Sequence, residues 1–432
     1  MSSESFFLPT NKEEIVKRDA PITKLSFRRI QPQQTAVEDS FYGSTHSFKF
    51  SNSMPKHWIP SKSYCVLRSK IEVNYAGVWK APTADIAPAF GYAHNLFQNV
   101  RVDVDGYQLT RSGNDYSLRA SAFERIYLND NYYEGLGTSN YADPSFANRK
   151  QDLLDNGNEF QAIFRPAIGL FFSEKIQLGA GEINLSFITK SKSQCEKSAV
   201  ESDAELTFGD ADTNVRLVIT DFAFYACQMD GDADLESKIE REYVHTIEYP
   251  DINVRKITVG GGTSAHNVTV NKGTSGVAVA LQSSAAGNSN LYIPTKFLAE
   301  DKEERKIDNL SINYGGQELL VPSENYSFKE SANPFTKTNQ LMEAYYRSIQ
   351  HDESATCGGR PISFKKWLSM GPLFYYSIYK AVDNFSTSMD IRITRTGTAT
   401  APRQLIVFDA FKTVAQIRVR DSRVIDVYTE DI

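Results

Sequence analysis

Asn99 to Leu109 reads NVRVDVDGYQL, and 210 residues later Asn309 to Leu319 reads NLSINYGGQEL. In the first stretch Val100, Val102 and Val104 alternate with Arg101 and Asp103, the period of a strand with one apolar and one wet face. Asp105-Gly106 then supplies what a tight primed turn needs, because such a turn holds its central residues at positive φ. The two stretches match in order: Asn99 with Asn309, Val100, Val102 and Val104 with Leu310, Ile312 and Tyr314, Gly106 with Gly316, and Leu109 with Leu319. Each is followed by a polar loop and a helix-like segment carrying aromatics, Phe123 and Tyr127 in one, Tyr345 and Tyr346 in the other.

The same alternation recurs along the chain. It appears in Cys65 to Val73, in EINLSFITK with Ile183, Leu185 and Phe187, in NVRLVITDFAF with Val215, Leu217 and Ile219, in MDIRITRTG with Met389, Ile391 and Ile393, and in QIRVR with Ile417 and Val419. One wet and one apolar face means antiparallel, half-buried strands, and two such sheets bury their apolar sides by facing each other. Helical periodicity is confined to about Asp115 to Leu128, Leu235 to Tyr243 and Asn339 to Gln350. Two further pairs keep the order of the first: GLFFSEKI then INLSFITKS against PLFYYSIYK then MDIRITRTG, and RLVITDFAFYACQM against QLIVFDAFKTVAQI. The fold is therefore expected to be all-β and duplicated, two β-sandwiches with a few short helices in loops, joined near the acidic stretch Asp230 to Glu242. An α+β protein with several sheets is the competing architecture. The Gly/Ser/Ala segments Gly260 to Gly276 and Ser283 to Asn290 read as hairpin or loop tips, and Tyr132 to Asn158 as a long polar insertion of the kind that covers a neighbour.

Composition narrows the function classes. The chain has 432 residues, 41% hydrophobic and 23% charged, with a net charge of -6, so it can bury a large core and is not a disordered chain. No apolar run is long enough to span a membrane, and the first twenty residues, with Glu13 and Glu14 and no apolar core, do not read as a secretion signal. Cys65, Cys195, Cys227 and Cys357 are scattered, which fits a reducing compartment. The sequons at Asn184, Asn267, Asn309, Asn325 and Asn384 read as chance without a secretion signal.

Chemistry-bearing patterns are missing. There is no GxxxxGK[ST], no GxGxxG after a strand, no HExxH and no GxSxG. His46, His57, His94, His245, His266 and His351 are too far apart in sequence to form a local metal motif. Asp230, Asp232 and Asp234 alternate, but Leu235 and Arg241 stand where a calcium loop wants Gly and Glu, so this run reads as a solvated linker. Asp103 and Asp105 share a strand face, and Asp105 is more simply a turn residue. Neither catalytic, cofactor-binding nor metal-binding residues are assigned. The N-terminus has a basic bias, Lys12, Lys17, Arg18, Lys24, Arg28 and Arg29 against Glu13, Glu14 and Asp19, which suits weak contact with a polyanion or an acidic protein face.

Four stretches, Trp58 to Val73, His94 to Ile126, Gly169 to Cys195 and Ile307 to Ile349, stand in an order and spacing that resembles the double jelly-roll major capsid proteins of eukaryotic DNA viruses, the adenovirus hexon and polinton-like lineage. The resemblance covers about residues 41 to 420, and departs in the Gly/Ser-rich region Gly260 to Asn290 and in the modest length. It implies two eight-stranded jelly rolls side by side, no enzymatic activity, and three subunits per pseudo-hexagonal capsomer of an icosahedral shell. It also implies a virion location, with neighbouring capsomers, penton and minor capsid or cement proteins as partners. The expected organisation is an N-terminal arm (1–40), a first jelly roll (41–229), an acidic linker (230–242), a second jelly roll (243–420) and a C-terminal tail (421–432). Ser2 to Gln34, Tyr132 to Asn158 and Asp421 to Ile432 are the candidate inter-subunit segments. The arm is expected to lack fixed structure in the free subunit, since no strand-length alternation precedes Phe48. The alternative on the same fold is a glycan-binding or glycan-hydrolysing protein. A secreted adhesion protein would call for a leader and more cysteines.

Overall fold

The computed structural model describes residues 25–431 apart from 52–55, 76, 83–85, 111–112, 129, 174–175, 177, 180, 203–214, 231–241, 272, 284–308, 321–344, 346–361, 379–386, 396–402 and 422. It is mostly strand. Among the described residues before 231 the strands are β1 (Leu25–Ile30), β2 (Thr45–Ser51), β3 (Lys56–Trp58), β4 (Tyr64–Tyr75), β5 (Val78–Lys80), β6 (Ile86–Pro88), β7 (Phe97–Val104), β8 (Tyr107–Gln108), β9 (Glu159–Phe164), β10 (Glu182–Thr189), β11 (Val200–Ser202) and β12 (Val215–Asp230). After 241 come β13 (Glu242–Val259), β14 (Gly262–Thr269), β15 (Gly276–Ser283), β16 (Asn309–Tyr314), β17 (Gln317–Leu320), β18 (Phe374–Ser377), β19 (Ser388–Arg395), β20 (Arg403–Arg420) and β21 (Arg423–Asp431).

In the first half β1-β12-β4-β9 form one sheet, with β3 and β5 at its margins, and β2-β10-β7-β8 form another. In the second half the sheets are β13-β20-β15-β18, with β21 added on β20, and β14-β19-β16-β17. The pairings are antiparallel. If β3, β5, β6, β11 and β21 are set aside, the remaining strands of each half, ranked in chain order, pair as 1-8-3-6 and 2-7-4-5. The turns repeat as well. Asp105 and Gly106 sit at φ 49° and 85°, and Gly315 and Gly316 at 57° and 85°. Both hairpins therefore use the doubly positive turn that matches the right-handed twist of the flanking strands.

Alternation produces the packing. Val100, Val102 and Val104 are buried, as are Ile183, Leu185 and Phe187. The first sandwich is filled by aromatics from both sheets. The ring of Phe222 in β12 lies 4.9 Å from Phe48 of β2, 5.2 Å from Phe187 of β10 and 5.6 Å from Phe97 of β7. The second is filled mainly by aliphatics: Val277 and Val279 of β15 and Leu405 and Val407 of β20 share a core with Ile312 of β16 and Ile391 and Ile393 of β19. The other face of the same sheet is buried too. Ala278, Ala280, Ile406, Phe408 and Ala410 belong to the core of the first half. Burial on both sides explains why GVAVAL and LIVF are unbroken apolar runs rather than alternating ones.

Several expectations are corrected. Leu25–Ile30 is not unstructured: it pairs with Phe224–Met229 of β12. Its sequence hides this because an edge strand with only Ile30 buried needs no alternation. Strand β2 also begins before Phe48, at Thr45. The C-terminal stretch is a strand, Arg423–Asp431, laddered to β20. Much of Gly260–Gly276 is strand β14, which the expectation of loop tips missed because its outward residues are small and polar; of Ser283–Asn290, only Ser283, in β15, is described. Tyr243, placed in a helix from sequence, pairs in β13 with Val419. Asn339 to Gln350 lies outside the described residues except Tyr345, which is buried. The helix over Tyr116–Tyr127 is found where expected, and Phe146–Asp155 and Lys192–Ala199 are additional helices.

Because Phe222 joins both sheets of the first sandwich, Phe222→Ala is expected to lower the unfolding free energy by about 3–5 kcal/mol, measured by chemical denaturation.

Candidate functional site

The helix Tyr116–Tyr127 is buried along nearly its whole length. Its charged residues do not share a face: at 100° per residue Arg119, Glu124 and Arg125 fall at about 0°, 140° and 240° around the axis. A surface helix would gather them on one side. Here each faces a protein partner, because the helix lies between the first sandwich and strand β13.

Arg119 forms an ion pair with Asp251 of β13, both buried. Arg125 donates to the carbonyls of Met370 and Gly371, each at 2.7 Å, in the second half. Burial pushes Arg125 down to about 10, and the two carbonyls meet its charge with full hydrogen bonds. Glu124 turns the other way. It accepts from Tyr132 Oη at 2.6 Å and lies 2.9 Å from His94 Nε2. The amide of Ala167 donates to Tyr116 Oη at 3.1 Å, and the same hydroxyl lies 3.1 Å from His94 Nδ1. Burial raises the Tyr116 hydroxyl well above its ordinary range, which keeps it protonated.

Around this helix the halves interlock further. Tyr249 Oη donates to Leu109 O at 2.6 Å, Lys256 pairs with Asp115, and Tyr107 Oη donates to Ile425 O at 2.7 Å. Asp105, at the primed turn, accepts from Glu182 N at 2.8 Å through Oδ1 and from Val424 N at 2.7 Å through Oδ2. At Gly169 a Cβ would sit 1.6 Å from Pro250 O, so only glycine permits this approach of the two backbones. On the inner side Lys190 Nζ donates to Asn95 O and Ser117 Oγ at 2.8 and 2.9 Å.

The seam takes up residues that sequence reasoning considered and set aside. Asp105 acts as a turn residue and strap; Asp103 pairs with Arg101, and burial raises its carboxyl. His46 stacks on Phe41 and bonds Phe41 O at 2.9 Å. His245 lies near His57 and is pushed down to about 4, first by burial and then by that second imidazole. Among the described residues no group of three or more His, Cys, Asp or Glu is placed to hold a metal. Cys65, Cys195 and Cys227 are buried free thiols. Asn184 lies half-buried within a sheet, whereas Asn267 is exposed. His351, Cys357, Asp232, Asp234, Asn325 and Asn384 lie outside the described residues, as do Lys12, Lys17, Arg18 and Lys24 of the basic segment; Arg29 of that segment pairs with Asp221 at 2.9 Å. The insertion Tyr132–Asn158 folds onto its own chain. Arg149 in it is buried, donating to Pro88 O at 2.5 Å and Glu201 Oε2 at 2.8 Å. Sequence reasoning missed Arg119, Glu124 and Arg125; their scatter around the helix axis was the available signal.

No protein-family profile matches the chain, and no curated protein does. Solved structures do. VP54 of PBCV-1, in a crystal structure fitted into a cryo-EM reconstruction of the virophage Sputnik, aligns with TM-score 0.55 and 12% identity over 94% of this chain and 97% of its own. The mavirus major capsid protein aligns with TM-score 0.54 and 11% identity over 94% of this chain and 90% of its own. The Faustovirus major capsid protein aligns with TM-score 0.51 and 9% identity over 90% of both. At such identities the similarity is one of fold, and it runs through both halves.

Removing one partner of the buried Arg119–Asp251 pair leaves an uncompensated charge, so Arg119→Ala is expected to cost about 3–5 kcal/mol by denaturation. Arg119→Met combined with Asp251→Leu should recover most of that. Burial pushes Lys190 down to about 8. Between there and the ordinary lysine value of about 10.4 the unfolded chain binds the extra proton, so this group's contribution to stability rises with pH across that window. Comparing unfolding free energies near pH 7.5 and 9.5 should show a gain of about 1–2 kcal/mol from this group. Lys190→Met should abolish it.

Proposed function

We propose that this protein is a structural subunit of an icosahedral DNA-virus shell, a double jelly roll that assembles as a pseudo-hexagonal trimer. The observation that carries the reading is the repeated pairing order, 1-8-3-6 against 2-7-4-5, in both halves. That order is the wrapping of a jelly roll, and two copies in one chain let three chains present six similar units to a lattice. In this reading the division is the acidic stretch 230–242, from the end of β12 to the start of β13. The fold-level likeness to proteins named as major capsid proteins supports the same reading.

The physical character of the molecule suits a tile. Interlocked backbones at Gly169 and Pro250, and the buried Arg119–Asp251 ion pair between the halves, fix the angle between the two units. A lattice requires a fixed angle, because a flexible joint would spread each subunit over orientations that do not close. Strand β13 is long and lies at the edge of its sheet, and the helix Tyr116–Tyr127 packs against part of its length. This role uses no catalytic group, metal or cofactor. The partners are further copies of the chain, neighbouring capsomers and the accessory proteins of a shell, and the place of work is the virion.

Size-exclusion chromatography with light scattering is expected to give three times the 48.5 kDa chain mass, and negative-stain images should show pseudo-hexagonal particles. A lone subunit at every concentration, stabilised by sugars on heating, would instead favour a glycan-handling protein.

A further inference from the structure

The seam within one chain shows how like units meet. The outer face of β13-β20-β15-β18, carrying Ala278, Ile406 and Phe408, is buried against the first half. By strand rank the counterpart of that sheet is β1-β12-β4-β9. Its outer face has no such cover among the described residues. Leu25 and Phe27 of β1 are 38% and 54% exposed. The Phe27 ring lies 5.9 Å from that of Tyr64 in β4, and Tyr64 stacks on Tyr225 of β12 at 5.1 Å and 8°. Along the same strands Val66 and Cys227 are buried. These aromatics form one contiguous ring cluster, bordered by the Arg29–Asp221 ion pair.

The contact between the halves is head-to-tail: the helix side of one unit meets the sheet face of the next. A contact of this kind between like units leaves one complementary surface unused at each end, and repeats until the assembly closes. A single chain uses it once, which leaves the face of the first half for a unit of the second type. We propose that the face formed by Phe27, Tyr64 and Tyr225 is a subunit contact, seated against the second half of a neighbouring copy of this chain. This rests on the assembly reading above and assigns its interface. Burying Leu25 and Phe27 there would supply the desolvated aromatic anchor that dominates most interfaces.

The test compares the full chain with Phe27→Glu by light scattering over a concentration series. The variant is expected to need at least about thirtyfold more protein for half-assembly, the effect of losing one interface anchor. Its far-UV circular dichroism and melting as a lone subunit should be unchanged. A variant that assembles as readily as the parent overturns the placement while leaving the assembly reading intact. A parent that never assembles overturns both. A photoreactive phenylalanine analogue at position 27, in a mixture of isotope-labelled and unlabelled chains, supplies a readout without the charge. Cross-links between chains to residues beyond 241 are expected. Cross-links within one chain, to its own first residues for example, or between chains to residues before 231, overturn the proposal.

Discussion

Where β15 pairs with β20, the sheet has no wet side. One face closes the second sandwich and the other closes the gap to the first half, so the two halves cannot part without exposing Ala278, Ile406, Phe408 and Ala410 to water. Residues of that face and of the first sandwich form a single apolar cluster. The hydrophobic effect is proportional to area removed from water, and here the same area that stabilises the second unit's sheet also fixes its attitude to the first.

Apolar burial alone would leave that attitude free to slide. The polar groups of the seam remove the freedom. Arg119 with Asp251, Arg125 with two carbonyls, and Asp105 with the Val424 amide each need one register to be satisfied. A shifted seam would leave buried charges and amides without partners, which costs more than the pairs contribute when made. Gly169 against Pro250 adds a steric constraint of the same kind. The apolar face holds the halves together, and the polar contacts select one geometry from those that burial would tolerate.

The two halves are a pair of like units packed through one shared core. Their polar clusters are consumed by structure: His94, Glu124, Tyr116 and Tyr132 satisfy one another beneath the helix. The insertion Tyr132–Asn158 and the C-terminal strand, which could have been free arms, are held on their own chain by Arg149 and by the ladder to β20.

Periodicity in the sequence determined the strands whose two faces differ in wetness, such as β4, β7, β10 and β19, and the residue pair Asp105-Gly106 determined the primed turn after β7. The repeated order of those signals determined that the chain is duplicated. These are local matters, decided by the alternation of side chains along a strand and by the φ values that glycine and aspartate accept. Only the tertiary structure decided the rest. β1 and β14 escape notice because an edge strand, or one with a small polar outer face, carries no apolar alternation. Arg119, Glu124 and Arg125 look like surface charges until β13 and the second half are placed against the helix. Whether a side chain is buried depends on what packs over it, and that partner arrives from more than a hundred residues away, where no local pattern records it.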